Sequence, residues 1–590
     1  MGRLLAGATL LLLAACDSGG DEGRCVAADQ ALAMPSPLWR TEDGLTPPED
    51  DLAAGMLRLR RPTWFEQLAQ VDGWPARPTV IVPLDGAGQA VSVDRLSFLG
   101  RRTSSGPLEP VDVGVSATID GDGASLVVRP DVALPDLYET VLVVGPGAVT
   151  GASALPVCGS DGEPHPEYGR ALSELPAGTE AELALPFRLA TTHRQLPALG
   201  DALAERPVLT VRSAVATGLD EFGESSPTPE VAALLQDPAV TAILELPEYR
   251  GADGVFSVDA DGVPQAQGIT APGIIVVLPV AGESPYPFVL FQHGGGQDKS
   301  VVFGLAGPLA AAGFALVAID LPEHGDRTSG SAGTDMDILD FNDLPKTRDN
   351  LRQAAADHMA VLTGIDALND ELGPMFGDIV PLDPDRGFYM GLSLGGITGS
   401  MTFASAPTLE GAALFVGGAD YTELVSFGFF SLLVSDILAR PSIEQAVVLG
   451  LAEAILDGAD PQAYAVRAED RTGPPTPLLL MQAIDDPIVS MPSSDLWGRS
   501  FGADLVRPFH HEVDGMDELD LPASDNFAWD GESEAVTRVL VQNPMAETPI
   551  SERHGGLIML DYTQQVVEHC FTTVLDDGSC EVIDTDFAEH

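Results

Sequence analysis

The segment at residues 387–396 constrains the fold of this chain more than any other stretch. An apolar run at residues 388–392 enters Gly-x-Ser-x-Gly around Ser393, and a run of small residues at 395–406 leaves it. That order predicts a strand, a sharp turn and a helix in direct succession, because glycines tolerate the strained backbone of such a turn. A serine at this point has its hydroxyl exposed at the carboxyl end of the strand, where it can act as a nucleophile.

After residue 285, apolar runs alternate with segments of helical periodicity. The runs lie at residues 288–292, 314–320, 387–392, 411–418 and 477–483, and a last strand is predicted at 536–541. Residues 346–368 have apolar positions at helical spacing. Continuous apolar strands between helices indicate a parallel sheet that is covered on both faces. We therefore predict an α/β fold for this part of the chain.

The N-terminal part follows a different pattern, in which short β-type runs are separated by turn residues. The runs lie at residues 79–83, 111–115, 125–130 and 138–144. The pattern resembles the immunoglobulin-like β-sandwich modules of secreted bacterial proteins. It predicts an all-β domain at residues 31–212, followed by a linker at 213–229 that is rich in turn-forming and acidic residues.

The N-terminus carries the pattern of a targeting signal. A short basic start precedes an apolar core at residues 4–13 and a small-residue cleavage site. Leu13-Ala14-Ala15-Cys16 resembles the bacterial lipobox, which implies a signal peptide at residues 1–15, a lipid on Cys16 and a flexible tether at 16–30. An ordinary signal peptide followed by a chance cysteine is the alternative. We expect a protein of the bacterial cell envelope that contacts the membrane only through this anchor.

Export would make the four other cysteines candidates for disulfide bonds, and four cysteines allow three pairings. Cys570 and Cys580 flank a turn-like Asp-Asp-Gly, which favours a local bridge and leaves Cys25 to pair with Cys158. A metal site is the alternative, but no Cys-x-x-Cys or nearby histidine spacing supports one.

The formal net charge of −58 limits the partners of the protein. Lysine occurs only at Lys299 and Lys346. So acidic a surface repels nucleic acids and anionic lipid headgroups, and we expect neither as a partner. The sequence does not predict an oligomeric state.

The first strand of the alternating region ends in His293-Gly294-Gly295-Gly296, upstream of the Ser393 turn. This segment resembles the His-Gly oxyanion motif of the α/β-hydrolase family, and the resemblance extends from about residue 244 to the C-terminus. It implies a catalytic domain at residues 213–590 and an oxyanion hole formed by the backbone amides of Gly295 and Leu394. His293 itself is expected to be a hydrogen-bonded structural residue.

The family order of catalytic residues is serine, acid, histidine. Residues 482–489 resemble the family pattern Gly-x-x-Asp-x-x-Val, and aligning its valine places the acid at Asp486. Asp485 is the alternative, because adjacent residues point in opposite directions. His554, in a glycine-flanked loop before the closing helix, stands where the family carries its base, and His511 is the alternative.

Two further segments resemble the family. His324 and Asp326 follow the strand at 314–320, and because they precede the serine we expect them to fix their loop rather than to catalyse. Residues 347–353 resemble a segment of secreted bacterial lipases and esterases, and its arginines are expected to pack beneath the site.

These features predict an exported, lipid-anchored serine ester hydrolase, a lipase or carboxylesterase, that works through an acyl-enzyme without metal or cofactor. The substrate is expected to be a small-molecule or lipid ester. An insert at about 420–470 is apolar at 427–434, which suits a lid over an acyl chain or, alternatively, the core of a cap. A peptidase or other acyl hydrolase of the same fold and an inactive cell-surface binding lipoprotein are the competing functions.

Overall fold

A computed structural model describes residues 25–41, 44–48, 50–328, 337–465, 476–528, 534–545 and 548–583 of the protein. The predicted signal peptide, Cys16 and the first part of the tether lie outside the described residues. Among the residues described, no helix is both long enough and apolar enough to cross a bilayer.

The N-terminal part of the chain, residues 25–205, forms small antiparallel sheets with helices beside them, and we call it the N-terminal half. Its strands are β1 (Arg40–Thr41), β2 (Gly44–Leu45), β3 (Val80–Pro83), β4 (Ala90–Val91), β5 (Leu96–Arg101), β6 (Glu109–Pro110), β7 (Val115–Asp120), β8 (Ser125–Pro130), β9 (Glu139–Val144), β10 (Val149–Thr150) and β11 (Leu183–Phe187). Its helices are α1 (Leu52–Arg60), α2 (Pro62–Gln67), α3 (Pro166–Ser173) and α4 (Gln195–Glu205). Strands β3, β8 and β7 form one sheet, and β11, β9, β5 and β6 form another.

This half is rich in antiparallel strands, as its sequence pattern predicts, but helices α1 to α3 show that it is not all β. One face of the β11-β9-β5-β6 sheet joins the main hydrophobic core through Phe98 and Leu142. The opposite face forms a separate small core with Ala171 of α3. The immunoglobulin-like character of the sheets stays a prediction.

A large mixed sheet organises the second half, and in the described part of the chain it contains twelve strands. They are β12 (Thr210–Thr217), β13 (Ala239–Glu248), β14 (Gly268–Thr270), β15 (Gly273–Val277), β16 (Tyr286–Gln292), β17 (Ala315–Ile319), β18 (Leu382–Leu392), β19 (Gly411–Phe415), β20 (Leu478–Ala483), β21 (Asp504–Val506), β22 (Glu518–Leu519) and β23 (Arg538–Asn543). Their order is β12-β13-β15-β17-β16-β18-β19-β20-β23-β21-β22, with β14 on β13. Neighbours from β17 to β22 are parallel, and those from β12 to β17 are antiparallel.

Helices cover both faces of this sheet. They are α5 (Pro229–Ala232), α6 (Ala306–Ala311), α7 (Leu344–Thr363), α8 (Ile365–Leu372), α9 (Leu394–Ser405), α10 (Tyr421–Ser426), α11 (Ser435–Leu438), α12 (Ser442–Leu456), α13 (Pro461–Ala465), α14 (Met491–Ser500), α15 (Ile550–Gly556) and α16 (Asp561–Asp577). Alternate strand residues fill two cores: Phe288 and Leu290 pack with α7 and α9, whereas Val289 and Phe291 pack with α6 and α16. The predicted helix at 346–368 is divided at Gly364, where α7 ends.

Short 3-10 segments connect these elements. They are Pro37–Trp39, Leu68–Gln70, Val93–Arg95, Thr192–Arg194, Leu219–Ser225, Lys299–Gly304, Gly325–Arg327, Gly373–Phe376, Phe429–Leu432, Asp457–Ala459 and Leu557–Met559.

The predicted boundary at residue 212 and the start of the predicted linker fall inside β12. This strand pairs with β13 and belongs to the large sheet, so residues 210–217 are not a linker. The assignment failed because β12 is an edge strand whose residues are exposed or half-buried, and it lacks the apolar run of a central strand.

The N-terminal half and the insert between β19 and β20 share one hydrophobic core. Helix α1 packs against α12 of the insert. Arg60 pairs with Glu444 of α12 at 2.9 Å, and the next residue, Arg61, pairs with Asp436 of α11 at 2.6 Å. Most of α12 is buried, so this part of the insert packs into the shared core.

The disulfide pairing predicted from the sequence is confirmed. Cys25 is bonded to Cys158 across the N-terminal half, and Cys570 is bonded to Cys580 at the end of α16. The first bridge holds the start of the described chain against the N-terminal sheets.

Candidate active site

Ser393 lies on the turn that joins β18 to α9, with φ 56° and ψ −112°. A non-glycine residue in this backbone region is strained, and such strain is concentrated at functional sites. A Cβ atom on Gly391 would lie 2.1 Å from the carbonyl oxygen of Gly395, and one on Gly395 would lie 2.3 Å from that of Gln292. The turn therefore requires glycine on both sides of the serine.

His554 lies between Ser393 and Asp486. Its Nε2 is 2.7 Å from Ser393 Oγ, and its Nδ1 is 2.7 Å from Asp486 Oδ2. Because a carboxylate only accepts, Nδ1–H donates to Asp486 and Nε2 is left to accept the serine proton. The side chains of His554 and Asp486 are 13% and 4% exposed. His554 is on helix α15 rather than in the predicted loop.

The two adjacent aspartates after β20 have different partners. Asp486 Oδ1 accepts from the amides of Ile488 and Val489 at 2.8 and 3.1 Å, which leaves Oδ2 for the imidazole. Asp485, at φ 57°, points outward with 70% of its side chain exposed. It accepts from Arg553 Nη1 at 3.0 Å. The structure thus pairs the imidazole with Asp486 and not with Asp485.

His511, the alternative base, belongs to a separate pair. Its Nε2 is 2.9 Å from Asp495 Oδ2 on α14. Its backbone amide donates to Gln542 Oε1 at 2.9 Å. Within the described residues, no hydrogen bond connects His511 to Ser393.

The glycine loop after β16 runs against the Ser393 turn. A Cβ atom on Gly294 would lie 3.1 Å from Ser393 Cβ, and one on Gly295 would lie 3.3 Å from Leu394 Cδ1. Leu394 is the first residue of α9, so its amide has no carbonyl partner within the helix. The loop that carries Gly294 and Gly295 therefore lies against Ser393 and Leu394.

The amides on either side of Gly295 are already in use. Gly294 N–H donates to Gln297 Oε1 at 3.0 Å, and Gly296 N–H donates to His324 Nε2 at 3.3 Å. In the part of the chain that the structure describes, the Gly295 amide between them has no intramolecular acceptor. This amide remains available for a ligand oxygen.

The loop is held from behind by the segment that follows β17. Lys299 Nζ donates to Asp320 Oδ2 at 2.7 Å and to Asp326 Oδ2 at 2.8 Å. The Leu321 amide donates to His293 Nε2 at 3.2 Å. Burial lowers the pKa of His293 to about 3, so this histidine is neutral and acts only as a hydrogen-bonding residue.

The arginines of the 347–353 segment join three parts of the molecule. Arg348 and Arg352 both pair with Asp349, at 2.9 and 2.7 Å, within the buried helix α7. Arg352 also donates to Gln195 of α4, and Arg348 to the carbonyl of Ile455 in α12. They support the interface with the N-terminal half and the insert, and their hydrogen-bond partners do not include Ser393, His554 or Asp486.

Sequence reasoning missed two residues that shape the site, Arg553 and Gln297. Arg553 connects the helix of His554 to Asp485, and Gln297 occupies the Gly294 amide. Asp485 was a sequence signal for the first, since an aspartate that does not face the histidine is free to bind a neighbouring cation. For Gln297 the sequence carries no signal, because the contact depends on the loop conformation.

Apolar side chains are exposed beside the loop of Asp486. Phe427, Phe429, Leu432 and Leu433 are 54%, 43%, 68% and 42% exposed, and we call them the apolar patch. The Phe429 amide donates to the carbonyl of Pro487 at 2.9 Å, next to Asp486. The apolar segment predicted at residues 427–434 of the insert thus has exposed side chains. One of its backbone groups contacts the loop of the candidate acid.

No family model matches the chain. The chain is 26% identical over 207 residues to Esterase YjfP of Escherichia coli (strain K12). The aligned residues are 35% of this chain and 71% of that protein. Acetyl xylan esterase 1 from Thermoanaerobacterium sp. JW/SL YS485 is similar with a TM-score of 0.31 and 13% identity, covering 62% of this chain and 92% of the other. A 2,6-dihydroxy-pseudo-oxynicotine hydrolase is similar with a TM-score of 0.31 and 13% identity. The similarity covers 56% of this chain and 69% of that one.

The parallel strands with helices on both faces and the serine on its strand-to-helix turn agree with the fold that the resemblance to the α/β-hydrolase family implies, and part of the chain is similar to a curated esterase.

Proposed function

We propose that the protein is an exported serine hydrolase that cleaves carboxylic esters, a lipase or carboxylesterase. The observation that carries the proposal is the hydrogen-bonded series Ser393–His554–Asp486, with 2.7 Å at each of its two contacts. A nucleophile and base within hydrogen-bond reach, with the base oriented by a third group, is the geometry of covalent acyl transfer.

In the first half-reaction, His554 Nε2 takes the proton of Ser393 as Oγ attacks the ester carbonyl. The amides of Gly295 and Leu394 donate to the oxygen of the tetrahedral intermediate, and Asp486 stabilises the imidazolium. The protonated His554 then donates its proton to the leaving alcohol oxygen, which completes the acyl-enzyme on Ser393.

In the second half-reaction, His554 deprotonates a water molecule that attacks the acyl carbonyl. The same amides hold the second oxyanion. Collapse of this intermediate returns the proton to Ser393 and releases the carboxylic acid.

The apolar patch supports an ester with an apolar acyl chain as substrate. Large apolar side chains are costly to expose and mark surfaces that bind apolar partners. Its contact with Pro487 places it beside the loop of Asp486, and we expect the acyl chain of a substrate on Ser393 to extend towards it.

Export and lipid anchoring through Cys16 belong to the same proposal. The sequence Leu13-Ala14-Ala15-Cys16 and the two disulfides support it, since disulfides persist in oxidising compartments. Cys16→Ser is expected to move the protein from the detergent phase to the aqueous phase in a Triton X-114 partition of cells. Equal partitioning of the variant and the parent would contradict the anchor.

A fluorophosphonate probe tests the nucleophile. We expect the parent protein and Ser173→Ala, an exposed serine on α3, to be labelled equally, and Ser393→Ala to remain unlabelled. An unlabelled parent, or a labelled Ser393→Ala, would refute the serine mechanism.

A series of p-nitrophenyl esters, compared with peptide anilides, tests the substrate class. We expect kcat/KM to be higher for esters and to rise with acyl length, and the rise to be reduced in Phe427→Ser. Faster cleavage of the anilides would identify a peptidase instead. A length preference that Phe427→Ser leaves unchanged would exclude the apolar patch as the acyl site.

A further inference from the structure

A cavity of about 440 Å³ lies in the N-terminal half of the protein. All of its lining residues lie between residues 36 and 188, so Ser393, His554 and Asp486 do not contribute to it. This volume is within the range of sites for small ligands. The cavity is therefore a candidate site separate from the triad.

One wall of the cavity is a network of guanidinium and carboxylate groups. Arg101 pairs with Glu139 at 2.9 Å and also with Glu174. Arg170 pairs with Glu139 at 2.6 Å and with Glu174 at 2.9 Å. Each group fixes the next, so the wall presents its polar atoms in one arrangement before any ligand binds.

The network leaves donors without acceptors. Arg101 is 8% exposed, and its Nε atom is buried with no hydrogen-bond acceptor among the described residues. Arg188 also lines the cavity, and its Nε atom is likewise buried with no hydrogen-bond acceptor among the described residues. A buried donor without a partner is costly, so these two guanidinium groups are held in the lining at an energetic cost.

An aromatic ring forms another part of the lining. The guanidinium carbon of Arg188 is 4.2 Å from the centroid of the Tyr138 ring, and its Nη2 donates to the Tyr138 hydroxyl at 2.5 Å. Arg188 thus holds the ring, while 37% of Tyr138 remains exposed. Since Arg188 covers one face of the ring, the opposite face is the one that can stack on a ligand next to polar groups.

The charges of the lining are nearly balanced. Together with Arg188, Glu167 and Asp72, the network supplies three guanidinium groups and four carboxylates. Guanidinium groups only donate hydrogen bonds and carboxylates only accept them, whereas a hydroxyl group does both. The carboxylates would repel an anion, and the guanidinium groups would repel a cation. The lining therefore favours a neutral ligand with many hydroxyl groups.

We propose that this cavity binds a neutral carbohydrate, with the sugar ring stacked on Tyr138 and its hydroxyls bonded to the arginine and glutamate side chains. The N-terminal half would then hold a glycan near the hydrolase domain. This site does not depend on the ester chemistry proposed for Ser393.

Binding is measured on the full-length protein with Ser393→Ala, which removes turnover of any ester. A glycan microarray with neutral, acidic and phosphorylated glycans identifies the ligand class, and calorimetric titration with the best neutral oligosaccharide gives its Kd. Inorganic phosphate is titrated as the anionic competitor. We expect neutral glycans to bind and phosphate not to displace them.

Tyr138→Ala is expected to raise the Kd at least tenfold. Phe65→Ala is the matched control, because Phe65 also stacks with an arginine, Arg58 at 4.3 Å, but does not line the cavity. We expect the Kd of Phe65→Ala to stay within twofold of the Kd of the parent protein. Ser104→Trp fills the cavity from an exposed lining position and provides a second test if Tyr138→Ala fails to fold. A protein that binds no neutral glycan, that binds only acidic or phosphorylated ones, or that binds unchanged in both cavity variants would overturn the proposal. Because only binding is measured, that outcome would leave the proposed hydrolase activity standing.

Discussion

Two aspartates that are neighbours in sequence take different partners beside Ser393. Asp486 is almost fully buried, with one oxygen on two backbone amides and the other on His554. Asp485 is exposed and binds Arg553, which is adjacent to His554 on the same helix. One short loop therefore orients the imidazole directly and also holds the helix that carries it.

Asp486→Asn is expected to lower kcat for p-nitrophenyl acetate on the order of 10⁴-fold, because an amide stabilises neither the required tautomer nor the imidazolium. Asp485→Asn is the matched control. Since exposed ion pairs contribute at most about 1 kcal/mol, we expect it to change kcat less than about fivefold. A larger loss in Asp485→Asn than in Asp486→Asn would reverse the assignment of the acid.

The two histidine–aspartate pairs offer a second comparison. We expect His554→Ala to lose at least about 10⁴-fold in kcat, because no base then activates Ser393. His511→Ala removes a similar pair with Asp495 and is expected to retain kcat within about tenfold. Steady-state kinetics on one ester, with thermal melts to confirm folding, measures both. Comparable losses in the two variants would mean that the pair at His511 also takes part in catalysis.

The positions of Ser393, Asp486 and His554 in the chain could be predicted because chain order and local motifs constrain them. Which aspartate faces the imidazole depends on the φ of 57° at Asp485, a backbone detail that the sequence does not reveal. The partner of Arg553 and the use of the Gly294 amide depend on loop conformations for the same reason.

At the scale of elements, helix α12 carries a carboxyl group in the hydrophobic core of the insert. Glu453 is 2% exposed. Burial, and then the negative charge of Asp460, raises its pKa well above the usual value. The protonated group contributes stability below about pH 4.5, its unfolded-state pKa, and this contribution is lost as the pH rises.

Glu453→Gln is therefore expected to be more stable than the parent protein at pH 8, and the difference should shrink towards pH 4.5. The gain can reach about 1.4 kcal/mol for each pH unit over which the folded and unfolded states differ by one proton. Calorimetric Tm values across this range measure it. Glu444→Gln on the same helix is the control, because its carboxylate pairs with Arg60 at the surface. A variant that loses stability equally at every pH would contradict the buried, protonated carboxyl.

The sequence predicts those strands whose apolar pattern is by itself enough to indicate that they are buried. The central strands β16 to β20 are continuous apolar runs, and the structure has strands at each of them. Strand β12 and the short strands β21 and β22 were missed. These strands are short or lie at the edges of the sheet, so their residues carry little of the apolar signal on which the prediction depends.

At the scale of the whole molecule, the N-terminal half is packed as part of one body with the insert. Arg60 and Glu444 are in contact although they are 384 positions apart in the sequence, and α4 packs on α7 and α9. No local pattern encodes such contacts, which is why a separate N-terminal domain was predicted. The shared core implies that this half stabilises the insert beside the loop of Asp486.

The two disulfides are expected to contribute unequally to stability. Cys25 and Cys158 are 133 residues apart, and Cys570 and Cys580 are 10 apart. On loop-closure entropy alone, the longer loop stabilises by about 2 kcal/mol more. Replacing Cys25 and Cys158 by serine should thus lower the free energy of unfolding more than replacing Cys570 and Cys580, as measured by urea denaturation. Equal losses would show that loop entropy does not control the difference.

The hydrogen bonds of Lys299 have a consequence for attaching the protein to surfaces. Lys299 is 14% exposed and engaged with Asp320 and Asp326, whereas Lys346 is 39% exposed. With lysine at only these two positions, amine-reactive chemistry has one readily accessible side chain. Once the α-amino group is blocked, coupling through Lys346 at low reagent excess should immobilise molecules in a common orientation, with the lysine that holds the glycine loop left unmodified.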